Sequence, residues 1–180
     1  MRIIRGLHRG RQIFPPKNLP VRPTTDFAKE ALFNILEHQY DFTDLEVLDL
    51  FAGTGSISYE FASRDCRSVT AVDSHQGCVT FIAETAKKLD FKNIKVFRSD
   101  VFKFLKHNKK PFHLVFADPP FNFEDLIMLP SFVLNNNILT NEGLFILEHP
   151  GSYDFSDHEF FMEHRNYGSV YFSFFIFLVR

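Results

Sequence analysis

Residues Glu46 to Ser56 (EVLDLFAGTGS) join an apolar run to a loop that contains two glycines. A continuous apolar run is typical of a strand buried on both faces of a parallel sheet. Glycines let the backbone approach a ligand closely, and the residues after the loop predict a helix. The stretch therefore predicts a strand, a tight loop and a helix, and the loop is either a ligand-binding element or merely a tight strand-to-helix turn.

The order of strand and helix repeats along the chain. The predicted strands cover residues 46–51, 68–73, 94–100, 112–118 and 142–149, followed by two final strands at 159–168 and 169–179. The predicted helices cover residues 24–38, 56–64, 76–90, 101–107 and 125–136, the last with a kink at Pro130. This alternation predicts an α/β fold, a mostly parallel sheet with helices on both faces, in which ligands bind at the carboxyl ends of the strands.

The first 22 residues differ from the rest of the chain in charge. They carry six basic and no acidic side chains, a formal charge of +6, whereas the remainder carries 14 basic and 22 acidic residues, or −8. Residues 1–6 and 8–14 predict two short strands, and residues 15–23 a proline-rich linker. A basic arm on an acidic body indicates a polyanion as partner, although a solvated basic tail has the same composition.

Carboxylates stand at three successive strand ends. Asp49 lies just before the end of the first strand, Asp73 ends the second and Asp100 follows the third. A dinucleotide fingerprint would need glycine in place of Ser58, and a P-loop would need a lysine that this loop lacks. Asp49 would repel a pyrophosphate and attract a cationic amine, which indicates S-adenosylmethionine. Asp73 can accept ribose hydroxyls, and Asp100 can accept from an adenine amino group or cap the following helix.

The sequence Asp118-Pro119-Pro120-Phe121 (DPPF) follows the fourth strand. Asp118 and a backbone carbonyl near Pro119 can accept the two N–H groups of an exocyclic amine and orient it for in-line attack on a methyl group. Phe121 offers a ring on which an extruded base can stack. A strand that ends in a proline-rich turn is the alternative, but the position after the glycine loop favours chemistry.

Together these motifs resemble class I S-adenosylmethionine-dependent methyltransferases, and the chain is identified as a member of the RsmD family, the bacterial 16S rRNA (guanine-N2)-methyltransferases. The motifs that carry the resemblance are MRIIRG, RGR, RPTTDFAKEALFNIL, LDLFAGTG, SR, VD, DPPF, LEH and RNYG. The resemblance implies a Rossmann-like, seven-stranded, mostly parallel sheet with an antiparallel last strand and a small N-terminal β-hairpin extension. It divides the chain into a basic arm, residues 1–23, and a catalytic domain, residues 24–180.

The resemblance also implies which residues act. The implied cofactor contacts are Asp49, Phe51, Ala52, Gly53, Thr54, Gly55, Asp73, Ser74, Asp100 and Val101. The residues implied to hold the flipped-out base are Asp118, Pro119, Pro120 and Phe121. The residues implied to face RNA are Arg2, Arg5, Arg9, Arg11, Lys17, Arg22, Thr24 and Thr25. The implied reaction is methylation of a guanine N2 in small-subunit rRNA, within an assembling 30S subunit.

Two positions depart from the family pattern, because Ser58 and Asp65 stand where glycine is usual. Aspartate tolerates a left-handed turn, so we expect the fold to survive. Glu148 and His149 end the fifth strand and could line the pocket, but we do not include them among the site residues. Two other functions stay open: an amino-methyltransferase of DNA or another nucleic acid, acting on adenine N6 or cytosine N4, and an RNA-binding module that has lost its activity.

The remaining features concern compartment and assembly. Cys66 and Cys78 fit neither a disulfide framework nor a metal site, and the histidines lack metal-ligand spacing. The first residues lack a signal peptide, and no apolar run is long enough to span a bilayer. We therefore expect a cytoplasmic, reduced monomer with no metal and no membrane association.

Overall fold

The computed structural model of the protein describes residues 1–19 and 25–178. The helices in these residues are α1 (Asp26–Gln39), α2 (Ser56–Ser63), α3 (Gln76–Lys88), α4 (Val101–His107) and α5 (Leu129–Asn135). The strands are β1 (Glu46–Leu50), β2 (Ser68–Asp73), β3 (Ile94–Arg98), β4 (Phe112–Ala117), β5 (Leu139–His149), β6 (Phe161–Tyr167) and β7 (Val170–Phe177). None of the helices in this part of the chain is both long enough and apolar enough to cross a membrane.

The strands form one seven-stranded sheet in the order β3-β2-β1-β4-β5-β7-β6. The pairs among β1 to β5 are parallel, and β7 is antiparallel to both β5 and β6. The expected mostly parallel sheet with an antiparallel last strand is thereby confirmed. The strand order reverses between β1 and β4, and a crevice forms at such a reversal because the helices that follow the two strands lie on opposite faces.

Apolar side chains cover both faces of the sheet. Phe116 of β4 belongs to a core that it shares with α1, α2 and α3. Its neighbour Val115 points the other way, into a second core with α4 and α5. Side chains alternate along a strand, so a continuous apolar run such as residues 112–117 is what a strand between two helical layers requires.

The phenylalanine-rich end of the chain forms the expected final strand. Phe172, Phe174 and Phe175 of β7 are buried, and Phe177 is partly buried. β7 lies between β5 and β6, and four consecutive buried residues show that side chains on both of its faces are covered. β6 and β7 are joined by a short turn that includes Gly168, as predicted.

Two elements before β6 differ from the sequence expectation. Residues 125–136 do not form one kinked helix: a 3₁₀ turn at Leu126–Met128 precedes α5, which starts at Leu129. Pro130 therefore lies in the first turn of α5, where its missing N–H would have had no intrahelical partner. β5 begins at residue 139 rather than 142, and its pairing with β4 is irregular at that end.

The first 14 residues, here called the N-terminal hairpin, pair with each other without forming extended strands. The two short strands predicted over residues 1–6 and 8–14 are reduced to a single antiparallel bridge between Arg2 and Gln12. Gly6 has a φ of +83° and lies against α2, where a Cβ atom would be 1.8 Å from the Ser63 carbonyl oxygen. Only glycine fits this approach.

The N-terminal hairpin packs on the sheet domain through apolar and polar contacts. Ile3 and Ile13 are buried in the core shared with α1, α2 and α3. The carboxylate of Glu60, on α2, accepts hydrogen bonds from the backbone N–H groups of Ile4 at 2.9 Å and Arg5 at 3.0 Å. The hairpin is therefore anchored to the helical layer that also covers β1.

Candidate active site

A crevice of about 610 Å³ lies at the carboxyl ends of the parallel strands. Nine of the ten residues predicted to contact a cofactor line it, namely Asp49, Phe51, Ala52, Gly53, Thr54, Asp73, Ser74, Asp100 and Val101. The four residues predicted to hold a base, Asp118, Pro119, Pro120 and Phe121, line the same crevice. The structure thus brings residues from four separate strand ends into one cavity, as the parallel topology requires.

Strand register places three aspartates on one face of the sheet. Asp49 is in register with Ala71 of β2 and with Phe116 of β4. Asp73 and Asp118 lie two residues beyond these partners, and side chains two residues apart share a face. The three carboxylates therefore face the same space, beyond the ends of β1, β2 and β4.

The loop after β1 turns sharply to begin α2. Phe51, Gly53 and Gly55 have φ values of +57°, +55° and +80°. The Gly53 N–H donates to Asp73 Oδ2 at 2.8 Å, so the loop bends over the end of β2. Gly55 faces inward, where a Cβ atom would lie 2.8 Å from the Tyr59 ring, and it does not line the crevice. The glycines allow the turn, and the residues between them face the cavity.

Asp49 is a buried carboxyl group with one hydrogen-bond donor close by. Its side chain is 1 % exposed, and the Ser58 hydroxyl donates to Oδ2 at 2.5 Å. Burial raises the pKa of Asp49 to about 7, and the nearby Asp118 and Asp73 add to the rise while the Ser58 hydrogen bond opposes it. A cation bound in the crevice would stabilise the ionised form.

The other two predicted acids make local hydrogen bonds as well as lining the crevice. Asp73 Oδ1 accepts from the His75 N–H at 2.8 Å. Asp100 Oδ1 accepts from the Lys103 N–H at 2.9 Å and so caps α4. The cap considered for Asp100 from the sequence is therefore present. Each carboxylate oxygen has a second lone pair, so these bonds leave both groups able to accept from a ligand.

Aromatic packing supports the DPPF segment. The Phe123 N–H donates to the Pro120 carbonyl at 2.8 Å, which closes a turn directly after the motif. The Phe123 ring contacts Phe51 edge-on at 5.0 Å and stacks on Phe102 at 6.0 Å between ring centroids. Phe121 instead stays 60 % exposed at the crevice. An exposed ring on a supported turn is suited to stack on a planar ligand.

Glu148 also lines the crevice, as its position at the end of the fifth strand allowed, although it was not included among the predicted site residues. Ala117 is in register with Leu147, so Asp118 and Glu148 are the next residues of two neighbouring parallel strands. Glu148 is 5 % exposed, and within residues 1–19 and 25–178 its Oε2 atom has no hydrogen-bond partner. Burial raises its pKa to about 9, with a further contribution from Asp118. Its position at the end of the fifth strand is the only signal in the sequence that could have found it.

The residues predicted to face RNA fall into three groups. Arg9, Arg11 and Lys17 are exposed. Arg2 and Arg5 are also exposed and form ion pairs with acidic residues of α1. Arg22 and Thr24 lie outside the described residues.

Thr25 belongs to the crevice as well as to α1. Its hydroxyl accepts from the Ala28 N–H at 3.2 Å and caps the helix, and the residue lines the cavity. The N-terminal hairpin reaches the same region, because the Thr54 hydroxyl donates to the Met1 sulfur at 3.7 Å. The basic hairpin is therefore next to the glycine loop.

Comparisons with known proteins agree with this arrangement. A family model described as "Conserved hypothetical protein 95" matches residues 1–176. Ribosomal RNA small subunit methyltransferase D from Haemophilus influenzae is 34% identical over 155 residues, which cover 82% of this chain and 78% of that protein. The Escherichia coli K12 protein of the same name is 32% identical over 148 residues, covering 82% and 74%.

A solved structure of the yhhF protein from Escherichia coli has a TM-score of 0.85 and 28% identity, over 100% of this chain and 99% of that chain. The likeness thus extends over the sheet, the helices and the N-terminal residues together. On the family match and on the identity to its named members, the chain belongs to the Conserved hypothetical protein 95 family, that of ribosomal RNA small subunit methyltransferase D (RsmD).

Proposed function

We propose that this protein is an S-adenosylmethionine-dependent rRNA methyltransferase that modifies N2 of a guanine in 16S rRNA of the small ribosomal subunit. The observation that carries the proposal is the convergence of the glycine loop, Asp73 and the DPPF segment on one crevice. One part of that crevice suits a nucleoside with a cationic group, and the other suits a planar base with an amino group.

The charge of the crevice supports S-adenosylmethionine as the cofactor. Among the described residues that line it there are several aspartates and Glu148 but no lysine or arginine. Such a lining would repel a phosphorylated cofactor and attract a cation. Asp49 is placed to hold the amino group, and Asp73 and Asp100 to accept from the ribose and the adenine. When bound, S-adenosylmethionine supplies an electrophilic methyl group on a positively charged sulfur.

The DPPF segment would position the acceptor amine. Delocalisation into the base makes an exocyclic amine a weak nucleophile, so its orientation matters. Asp118 and the backbone carbonyl at Pro119 would accept its N–H groups and hold the nitrogen toward the methyl group. Phe121 would stack on the base once it has left its helix, a contact worth about 1–3 kcal/mol.

The N-terminal hairpin would hold the RNA beside this crevice. We assign phosphate contacts to its exposed arginines, together with Lys17, Arg22, Thr24 and Thr25. In this division residues 1–23 form the RNA-binding arm and residues 24–180 the catalytic domain. The contact between Met1 and Thr54 supports the assignment, because RNA on the hairpin would lie close to the glycine loop.

Methyl transfer in vitro tests the proposal. The purified protein would be given labelled S-adenosylmethionine with small ribosomal subunits, protein-free 16S rRNA or duplex DNA, and the modified nucleosides would be identified by chromatography. We expect N2-methylguanosine from the subunits or the rRNA and no product from DNA. Label in adenine or cytosine, or transfer to DNA alone, would contradict the proposal.

A further inference from the structure

Glu148 is buried in the described part of the crevice without the hydrogen-bond partner that a buried carboxyl oxygen requires. The proposed function so far assigns it no contact with the cofactor or the base. It follows Leu147, the register partner of Ala117, so its carboxyl group stands beside Asp118 at the ends of two paired strands. Both residues line the crevice. Both carboxyl groups therefore face a ligand bound at this end of the crevice.

The burial of Glu148 lacks compensation from the protein. The side chain is 5 % exposed, and its Oε2 has no hydrogen-bond partner in the described residues. Burying a carboxyl oxygen without a hydrogen bond costs free energy, and buried polar groups in proteins are nearly always paired. A carboxyl oxygen left unpaired in a ligand-sized cavity is suited to accept an N–H group of a ligand.

The chemistry of the bases indicates which ligand fits. Guanine is the base with two neighbouring donors, N1–H and N2–H, on one edge, and a carboxylate can accept both at once. Adenine and cytosine instead present a ring-nitrogen acceptor beside their amino group. A carboxylate accepts from their amino group only and repels the lone pair of the ring nitrogen.

We propose that Glu148 recognises the target guanine, its carboxylate accepting N1–H and, in place of the Pro119 carbonyl, one N2–H, while Asp118 accepts the second N2–H. This inference rests on the proposed function and adds to it the residue that selects the base. It also gives the amino group two flanking carboxylates, which fixes the direction in which the nitrogen lone pair points.

The electrostatics of the site are compatible with this role. Burial, and to a lesser extent Asp118, raises the pKa of Glu148 to about 9, so the group is protonated at neutral pH in the free protein. The positive charge of the proposed cofactor and the guanine N–H donors would favour the ionised form. Recognition would then require that cofactor and base occupy the crevice together.

The test changes the hydrogen-bonding pattern of residue 148 and, in parallel, that of the base. Glu148→Gln keeps the shape but presents one acceptor and one donor. 2-Aminopurine keeps the N2 amino group but presents an acceptor at N1. Its hydrogen-bonding pattern is therefore complementary to glutamine, as that of guanine is to glutamate. Small subunits would be reconstituted on rRNA with guanine or 2-aminopurine at the methylated position, after that position has been mapped with the natural protein. Glu84→Gln, on the exposed face of α3, is the matched control.

We expect the natural protein and Glu84→Gln to prefer guanine, and Glu148→Gln to lose guanine methylation by about 10- to 100-fold. The variant should at the same time methylate 2-aminopurine better than guanine, while its cofactor affinity by calorimetry changes less than about twofold and its thermal midpoint stays close to that of the natural protein. A reversed preference identifies Glu148 as the group that reads N1.

Two outcomes would overturn the role proposed for Glu148 without affecting the proposed function. One is wild-type methylation of guanine by Glu148→Gln, and the other is an equal loss on both bases, which would indicate a structural role. Failure of the natural protein to methylate guanine N2 on any subunit would instead overturn the proposed function itself, so the two failures are distinguishable.

Discussion

Asp118 is the residue on which the proposed chemistry depends most. It lines the crevice directly after β4, beside the ends of β1 and β5. Asp118→Ala should lower kcat by about 10²- to 10³-fold, because the amine then has one acceptor fewer, while cofactor affinity by calorimetry changes little. Asp118→Asn, which keeps one acceptor oxygen, should retain more activity than alanine. Near-normal turnover of Asp118→Ala would refute the role assigned to it.

If Asp49 holds the cofactor as proposed, Asp49 and Ser58 should make cofactor binding depend on pH. The pKa of Asp49 is raised to about 7, mainly by burial, so the group is largely protonated below pH 7 in the free protein. A cationic ligand needs the ionised form, so affinity should rise as pH increases from 5.5 to 7.5, by up to about tenfold per pH unit at the acidic end. Calorimetric titration at a series of pH values measures this directly.

Ser58→Ala should raise the pH at which the affinity for the cofactor increases. The Ser58 hydroxyl donates to Asp49 and opposes the rise of its pKa, so its removal should weaken cofactor binding most near neutral pH. Ser68→Ala, at the far end of β2, provides the control. Identical pH profiles for Ser58→Ala and the natural protein would show that the hydrogen bond does not control the charge of Asp49.

At the scale of elements, one buried carboxylate contributes strongly to the junction between the N-terminal hairpin and α2, alongside the hydrogen bonds of Ser63. Glu60 is fully buried, accepts two backbone N–H groups of the hairpin and binds Arg64 at 2.9 Å; Lys29 lies at 3.7 Å. Arg64 also lies over the Phe33 ring, 4.7 Å from its centroid. Arg64 also pairs with Glu37 and Lys29 with Asp26, so Glu60 is the fully buried carboxylate that both cations share.

Glu60→Ala should therefore lower the free energy of unfolding by about 3–5 kcal/mol, the range expected when one partner of a buried ion pair is removed. Chemical denaturation measures the change. Glu84→Ala on the exposed face of α3 should stay within about 0.5 kcal/mol of the natural protein. A decrease below about 1 kcal/mol for Glu60→Ala would mean that the hairpin does not depend on this network.

The strands and helices that are specified by a local sequence pattern could be predicted from the sequence. Apolar runs mark β1 and β4, and Asp49, Asp73 and Asp118 were found because each lies at the end of a predicted strand. Asp65 adopts a φ of +64°, as expected for a residue that stands where the family has glycine.

What the sequence missed depends on contacts between distant residues. The end of the fifth strand made Glu148 a possible lining residue, but its place beside Asp118 depends on the register of β5 with β4, and register is not local information. Pro130 was misjudged because a proline at a helix start and one inside a helix look alike without the helix boundary. The two predicted N-terminal strands reduce to one bridge because the hairpin packs on α2 instead of extending.

At the scale of the whole molecule, charge is divided between the hairpin and the body. The first 22 residues carry +6 and the rest −8, so RNA would be attracted to the hairpin side, beside the crevice. Reversing Arg9 and Arg11 to glutamate should weaken RNA binding and reduce the slope of log affinity against log salt by about 0.7–0.9 for each phosphate that the arginines neutralise. Binding measured over a series of salt concentrations gives this slope.

Reversing the charges of Lys87 and Lys88 is the charge-matched control for the reversal of Arg9 and Arg11. These two lysines lie in the last turn of α3, which runs back from the carboxyl end of β2 and so ends away from the crevice. Reversing both to glutamate should leave the salt slope unchanged. Equal effects of the two double variants would mean that the attraction is non-specific and that the hairpin is not the RNA-binding surface.

The central claim is that one crevice of this protein methylates N2 of a guanine in small-subunit rRNA. Nucleoside mass spectrometry of 16S rRNA tests it most directly, in cells that carry the natural gene, no copy, or the Asp118→Ala variant at equal protein level. We predict that one N2-methylguanosine is present with the natural gene, absent without it and not restored by the variant. An unchanged nucleoside profile after loss of the gene, or full restoration by Asp118→Ala, would contradict the claim.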